Sequence, residues 1–138
     1  MGDVILMMTL RSAPASPFGR KAKIAASLLG LSDQIQVELA DTADPSDSLL
    51  AQNPLGKIPA LILADGRVLF DSRVILEYLD HLVGGGRLFP SEPTARFDVL
   101  ARAALADGLM EAALLAVYEG RYHDEGGRSQ RWLDHQNG

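Results

Sequence analysis

Residues 53–80, NPLGKIPALILADGRVLFDSRVILEYLD, decide the fold, because they write a strand, a tight turn, a second strand and a capped helix in succession. Residues 58–63 form a short apolar run of strand length, Asp65-Gly66 is a preferred two-residue hairpin loop, and residues 67–70 read as a second short strand. The two strands are therefore expected to pair antiparallel. Asp71 and Ser72 offer side-chain oxygens to the free N–H groups of a helix start, and Val74, Ile75, Tyr78, Leu79 and Leu82 follow at helical spacing. Gly84, Gly85 and Gly86 stop that helix.

Two details exceed what a hairpin and a helix need. Pro59 stands at the entrance of a strand that otherwise reads as buried, where proline is tolerated at the first positions, on an edge or in a special turn. It reads either as an edge-strand proline or as the second residue of a cis Ile58-Pro59 bond. In the cis form the Ile58 N–H and C=O would turn away from the sheet and could hold an extended peptide by strand-like hydrogen bonds. The second detail is the acid-serine pair, Asp71-Ser72, at the helix start.

Outward from this run, residues 4–10, VILMMTL, read as a strand, residues 11–15 as a loop, and SPFGRKAKIAASLLG (16–30) as one amphipathic helix. Ser16 is its natural N-cap, Pro17 takes the first helical position, Phe18, Ala22, Ala25, Leu28 and Leu29 fall on neighbouring turns, and Gly30 ends it. Residues 35–39 give a second strand, so the unit is strand, helix, strand, with parallel strands and a right-handed crossover. The polar stretch 41–52 reads as a loop with a short irregular helix.

The order βαβ, a short helix, then ββα resembles the thioredoxin-like fold. SPFGRK, NPLGKIPAL and LFDSRVILEYLD, in this order and spacing, resemble the amino-terminal domain of cytosolic-type bacterial glutathione transferases. The expected class is α/β: a thioredoxin-like βαβαββα domain followed by the start of an all-α domain. Residues 1–83 are expected to be the glutathione-binding domain, 84–93 a linker, and 94–138 an incomplete all-helical carboxy-terminal domain.

Composition fits such a domain. The chain has 138 residues, 47% of them hydrophobic, and a formal charge of −5, which argues against nucleic acid as a partner. The basic cluster Arg20, Lys21 and Lys23 is explained by a solvated helix face. Apolar runs are far shorter than a membrane span and no basic segment precedes VILMMTL, so the expectation is a cytoplasmic protein without membrane contact. With no cysteine, disulfides, thiolate metal sites and a cysteine nucleophile are excluded. His81, His123 and His135 are scattered without paired ligand spacing, so no metal is expected. No serine-hydrolase pattern or phosphate-binding glycine loop is present.

In the resembled superfamily, members with cysteine at the start of the first helix exchange disulfides, whereas those with serine or tyrosine activate the thiol of bound glutathione. This chain has Ser16 there. A thiol of pKa about 8.5 is mostly protonated at neutral pH. A helix N-terminus and a donated hydroxyl hydrogen bond both favour the thiolate, and lowering its pKa by two units requires about 2.7 kcal/mol. Ser16 also reads as a plain N-cap, and Ser12 is a competing donor in the same loop.

The resemblance implies further glutathione contacts: Asp71 and Ser72 at the γ-glutamyl end, the Ile58 backbone at the cysteinyl unit, Pro59 as the cis-proline, and Lys57 near the glycyl carboxylate. Without it, Asp71 and Ser72 read as a helix cap and Lys57 as a solvated lysine.

Residues 94–122 read as one long helix, with Phe97, Leu100, Ala104, Met110, Leu114 and Val117 at helical intervals. In some classes an acid at the place of Asp107 reaches the partner subunit's γ-glutamyl group, but a solvated helix aspartate is the expectation here. After the glycine break at 126–127, a new helix from Ser129 places Trp132 and Leu133 on one face. The resemblance implies several more helices beyond Gly138, which line the electrophile site. Without them the long helix is expected to expose apolar surface, and the 138-residue form to show weak or absent turnover.

The implied activity is nucleophilic attack by glutathione on a small electrophile, in a homodimer of the full-length form. The alternatives are a non-catalytic glutathione-transferase-like interaction module and a glutathione-dependent peroxidase.

Overall fold

The computed structural model describes residues 6–138. The expected strand residues Val4 and Ile5 lie outside them. The chain divides into two compact units, Met1–Pro93 and Thr94–Gly138.

In the first unit, β1 (Met8–Ser12), α1 (Pro17–Leu28), β2 (Ile35–Leu39), α2 (Leu49–Gln52), β3 (Ala60–Ile62), β4 (Val68–Leu69) and α3 (Ser72–Leu82) follow in the βαβαββα order. They build a four-stranded sheet of order β2-β1-β3-β4. β1 and β2 are parallel, with Leu10 opposite Val37, while β1–β3 and β3–β4 are antiparallel, with Leu10 opposite Leu61 and Leu61 opposite Leu69. This is the thioredoxin-like arrangement.

The two-residue period of a strand splits the core between the two faces of the sheet. Leu10 and Leu61 join Ala22, Ala25, Ala26, Ile75 and Leu79 beneath α1 and α3. Ala60, on the other face, packs with Ala40 and the α2 residue Leu49. The inward face of α1 differs from the sequence expectation: Gly19, Ala22, Ala25, Ala26 and Leu29 are buried, whereas Leu28 is two-thirds exposed and Phe18 half-buried. Small residues bring this helix close to the sheet. A Cβ at Gly19 would overlap the Ser12 side chain.

Three boundaries also differ. β1 extends through Arg11 and Ser12, which the sequence reading gave to the following loop. β3 starts only at Ala60, because Pro59 has no N–H to give to a ladder. The β3–β4 connection is a three-residue loop, Ala64, Asp65 and Gly66, instead of a two-residue one: the Leu63 N–H donates to the Arg67 carbonyl at 2.8 Å, and Gly66 has φ +86°. A turn followed by one left-handed residue is the usual three-residue hairpin.

Arg11 is 2% exposed and reaches into the segment around α2, donating to Ser48 Oγ (2.8 Å), Gln52 Oε1 (2.7 Å), Asp47 Oδ1 (2.8 Å) and the Leu39 carbonyl (3.0 Å). A buried guanidinium needs such partners. At the far end of α3, Asp80 is 4% exposed and accepts backbone N–H bonds from Gly86, Arg87, Leu88 and Phe89 at 2.9 to 3.2 Å. Gly84, Gly85 and Gly86, all at positive φ, let the chain fold back onto that carboxylate.

The second unit carries α4 (Pro93–Tyr122), whose first residue closes the first unit, and α5 (Gln130–Asn137). The thirty residues of α4 span about 45 Å. As expected, α4 exposes apolar side chains, among them Phe97, Leu105 and Leu109, each about two-thirds exposed. Asp107 corrects the reading of a solvated residue: it is 4% exposed. Ser129 caps α5, accepting the Trp132 N–H at 3.2 Å. Among the described residues no helix is long and apolar enough to cross a membrane, and no cluster of side chains suits a metal ion.

Candidate functional site

The sheet register brings the candidate residues to one edge. Ala60 pairs with Arg11, so Ile58 and Pro59, which precede β3, lie beside the chain that leaves β1 toward Ser16. Leu61 pairs with Leu69, so Asp71, two residues beyond β4, lies level with Pro59, two residues before Leu61. Three chain crossings thus converge on one rim, each at a strand end where backbone groups leave the ladder.

Ser16 and Ser12 differ sharply in that setting. Ser12 is 1% exposed, lies under Gly19 of α1, and its Oγ donates to the neighbouring Ala13 carbonyl at 3.5 Å. Ser16 is half-buried at the N-cap of α1, where its Oγ accepts the Gly19 N–H at 3.0 Å. Among the described residues its hydroxyl proton meets no acceptor. A hydroxyl that accepts from the helix and keeps its own proton uncommitted is a donor for an anion.

The next crossing is held from within. Asn53 is 1% exposed; its Oδ1 accepts the Leu55 N–H (3.0 Å), its Nδ2 donates to the Lys57 carbonyl (2.9 Å), and its own carbonyl accepts the Gly56 N–H (2.8 Å). These bonds fix the turn that delivers Lys57, Ile58 and Pro59. The Ile58-Pro59 bond is cis, Pro59 is buried and Ile58 is half-buried. Lys57 is exposed, and its side chain has no partner among the described residues.

At the third crossing Asp71 is the N-cap of α3 and Ser72 its first residue. The Phe70-Asp71 bond is also cis. Asp71 accepts the Arg73 N–H and pairs with the Arg73 guanidinium, both at 3.0 Å, with its side chain 54% exposed. Partial burial pushes the Asp71 carboxyl up, but the hydrogen bonds from Arg73 and the charges of Arg73 and Lys21 outweigh this and hold it below the usual carboxylate range. Ser72 is 3% exposed, and its Oγ accepts from the Lys21 Nζ at 3.3 Å.

Lys21 corrects the expectation of a wholly solvated basic face: it is half-buried and reaches from α1 to the start of α3. The sequence carried a signal for it, since Lys21 immediately precedes the buried Ala22 and so flanks the inward stripe of α1. Asn53 carried one too, because Asn before Pro is a turn former whose side chain bonds the backbone two residues on. The edge therefore combines a hydroxyl at a helix N-terminus, an open stretch of backbone at Ile58, and a cation and an anion beside Ser72. It can hold a short extended peptide whose one end carries both charges.

The profile of the glutathione S-transferase amino-terminal domain matches residues 15–82. The chain is 36% identical over 112 residues to the uncharacterized GST-like protein YibF of Escherichia coli (strain K12), covering 81% of this chain and 54% of that protein. It is 36% identical over 90 residues to a stringent starvation protein A homolog of Coxiella burnetii, covering 65% of this chain and 42% of that protein. A crystal structure of a glutathione S-transferase from Methylobacillus flagellatus with glutathione bound superposes with a TM-score of 0.87 at 42% identity, over 94% of this chain and 63% of that one. The chain spans about half the length of the curated relatives it matches.

Proposed function

The chain belongs to the glutathione S-transferase family, and from that premise we propose that residues 1–83 bind glutathione and that Ser16 stabilises its thiolate for attack on a small electrophile. The observation that carries this reading is the Ser16 hydroxyl, which accepts from Gly19 and keeps its proton for a bound anion, while Ser12 is buried beneath Gly19. In the same proposal Ile58 offers its backbone to the cysteinyl unit beside Pro59, and Lys57 faces the glycyl carboxylate. Asp71 takes the γ-glutamyl ammonium and Ser72 the carboxylate, at the positive end of α3. Residues 84–93 are the linker, and 94–138 belong to a helical domain that in a longer, homodimeric, cytoplasmic protein supplies the electrophile site. No metal takes part in this reading.

The test is binding to immobilised glutathione followed by turnover of a generic aromatic electrophile. Wild type is expected to bind, and Ser16→Ala to lower kcat/KM about a hundredfold in a chain that carries the complete electrophile site, as loss of a single anion-stabilising donor does. A folded protein that does not retain glutathione would sink the proposal. A relative whose name states no transferase activity, the stringent starvation protein A homolog, keeps a second reading in play, a glutathione-transferase-like interaction module. Binding without turnover, unchanged by Ser16→Ala, would select it.

A further inference from the structure

We propose that the open edge of β2 is a self-association surface, which pairs antiparallel with the same strand of a second copy of this chain about a two-fold axis at Val37. β2 stands at one end of the strand order, so one side of it has no neighbouring strand among the described residues. The Ala40 N–H donates to the Ser12 carbonyl at 2.9 Å, which turns the backbone groups of Gln36 and Glu38 toward β1 and those of Ile35, Val37 and Leu39 to the open side. Part of that open side is already in use: the Ile35 N–H donates to the Ser32 carbonyl, and the Leu39 carbonyl accepts from Arg11 at 3.0 Å. The Ile35 carbonyl, both groups of Val37 and the Leu39 N–H have no partner among the described residues.

That remainder is complementary to itself. With Val37 opposite its own copy, each Val37 exchanges both bonds across the axis, and each Leu39 N–H meets the partner's Ile35 carbonyl. The bond this register lacks is the one between the two groups that are already engaged. The side chains agree with it. Val37 and Leu39 share the sheet face of Leu10 and Ser12 but are 50% and 69% exposed, and pairing sets Val37 against its copy and Leu39 against the partner's Ile35. On the other face Glu38 meets the partner's Gln36, whereas like charges directly opposite are destabilising. Sliding one chain by two residues either sets Glu38 against the partner's Glu38 or aims a Val37 carbonyl at the engaged Ile35 N–H. A two-fold contact of this kind closes on itself as a dimer. β4, at the opposite edge, has only two residues, too few to extend the sheet further.

Because the chain has no cysteine, disulfide trapping in the full chain reads this register directly. Gln36→Cys and Glu38→Cys proteins are oxidised with diamide separately and as an equal mixture. In the proposed pair these two positions face each other at a Cα separation of about 4.5 Å, within disulfide reach, whereas either position and its own copy lie diagonally at about 7 to 8 Å, outside it. The mixture is therefore expected to give linked dimer about tenfold faster than either protein alone. Val37→Pro, placed in both proteins, removes the outward N–H without touching the β1 ladder and should bring the mixture down to the rate of its components. Val37→Lys, which sets like charges across the axis, replaces it if the proline variant does not fold. A mixture that links no faster than its components, or a preference that survives the change at Val37, overturns the proposal. An edge kept for an extended peptide of another protein would leave the thiols unlinked and overturns it equally. A homodimer formed elsewhere on the chain does not select these two positions, and the readout is independent of glutathione binding.

Discussion

The two ends of α3 each carry an aspartate, and the two are used in opposite ways. Asp80 at the carboxy-terminal end is 4% exposed, and four backbone N–H groups from Gly86, Arg87, Leu88 and Phe89 converge on it. Asp71 at the amino-terminal end has a side chain 54% exposed and, among the described residues, accepts only from Arg73. For both, burial raises the carboxyl pKa and hydrogen bonding outweighs it. What separates them is saturation. A carboxylate whose lone pairs are all engaged by its own backbone fixes structure, whereas one with open, solvent-facing oxygens can take up a ligand cation.

The largest expected effect is at the saturated end. Asp80→Asn turns an acceptor-only group into one whose amide N–H₂ faces backbone donors, and should lower stability by about 3 kcal/mol at neutral pH. The folded-state pKa of Asp80 lies below the unfolded value of about 3.9. Its stabilisation is therefore complete above about pH 4 and is lost as pH falls through the folded value. Urea denaturation across that range should show wild type and variant converging in acid. A constant gap down to pH 2 would mean that the carboxylate charge is not what holds residues 86–89.

A smaller effect is expected at Asn53, a neutral counterpart of Asp80. Asn53→Ala leaves the Leu55 N–H and the Lys57 carbonyl without their buried partner and should cost about 2 kcal/mol by the same measurement. Because this turn delivers Ile58, whose backbone the proposed site offers to the peptide, the variant should also weaken glutathione binding several-fold by calorimetry. A loss of stability with an unchanged glutathione affinity would reduce Asn53 to a structural residue and sharpen the division between saturated and open groups.

How far these groups were legible in the sequence follows the same division. Local signals sufficed for α1, with Ser16-Pro17 at its start, for α3, with Asp71-Ser72, and for the paired strands around Gly66, since capping and turn chemistry act within a few residues. The resemblance carried by the three motifs, beyond those local signals, brought Ser16, Lys57, Ile58, Pro59, Asp71 and Ser72 forward as candidates. The partners of Arg11, Lys21 and Asp80 were not legible. Arg11 reaches 36 to 41 positions along the chain and Lys21 reaches 51, and such contacts exist only once the sheet order is set. Asp80 reaches at most nine positions, but its role depends on positive φ at three successive glycines, which the sequence reading used only as a helix stop.

The smallest stability effect belongs to the open end, and there the comparison is most exposed to failure. Asn caps a helix about as well as Asp, so Asp71→Asn keeps the bond to the Arg73 N–H and should change stability by no more than about 0.5 kcal/mol. It removes the charge that the proposed γ-glutamyl ammonium needs, so glutathione affinity should fall about tenfold by calorimetry, most of it from dissociation. The two measurements separate cap from ligand. If Asp71→Asn unfolds the protein as readily as Asp80→Asn does, the exposed carboxylate is structural after all. If it alters neither stability nor affinity, the ammonium is read elsewhere on the rim.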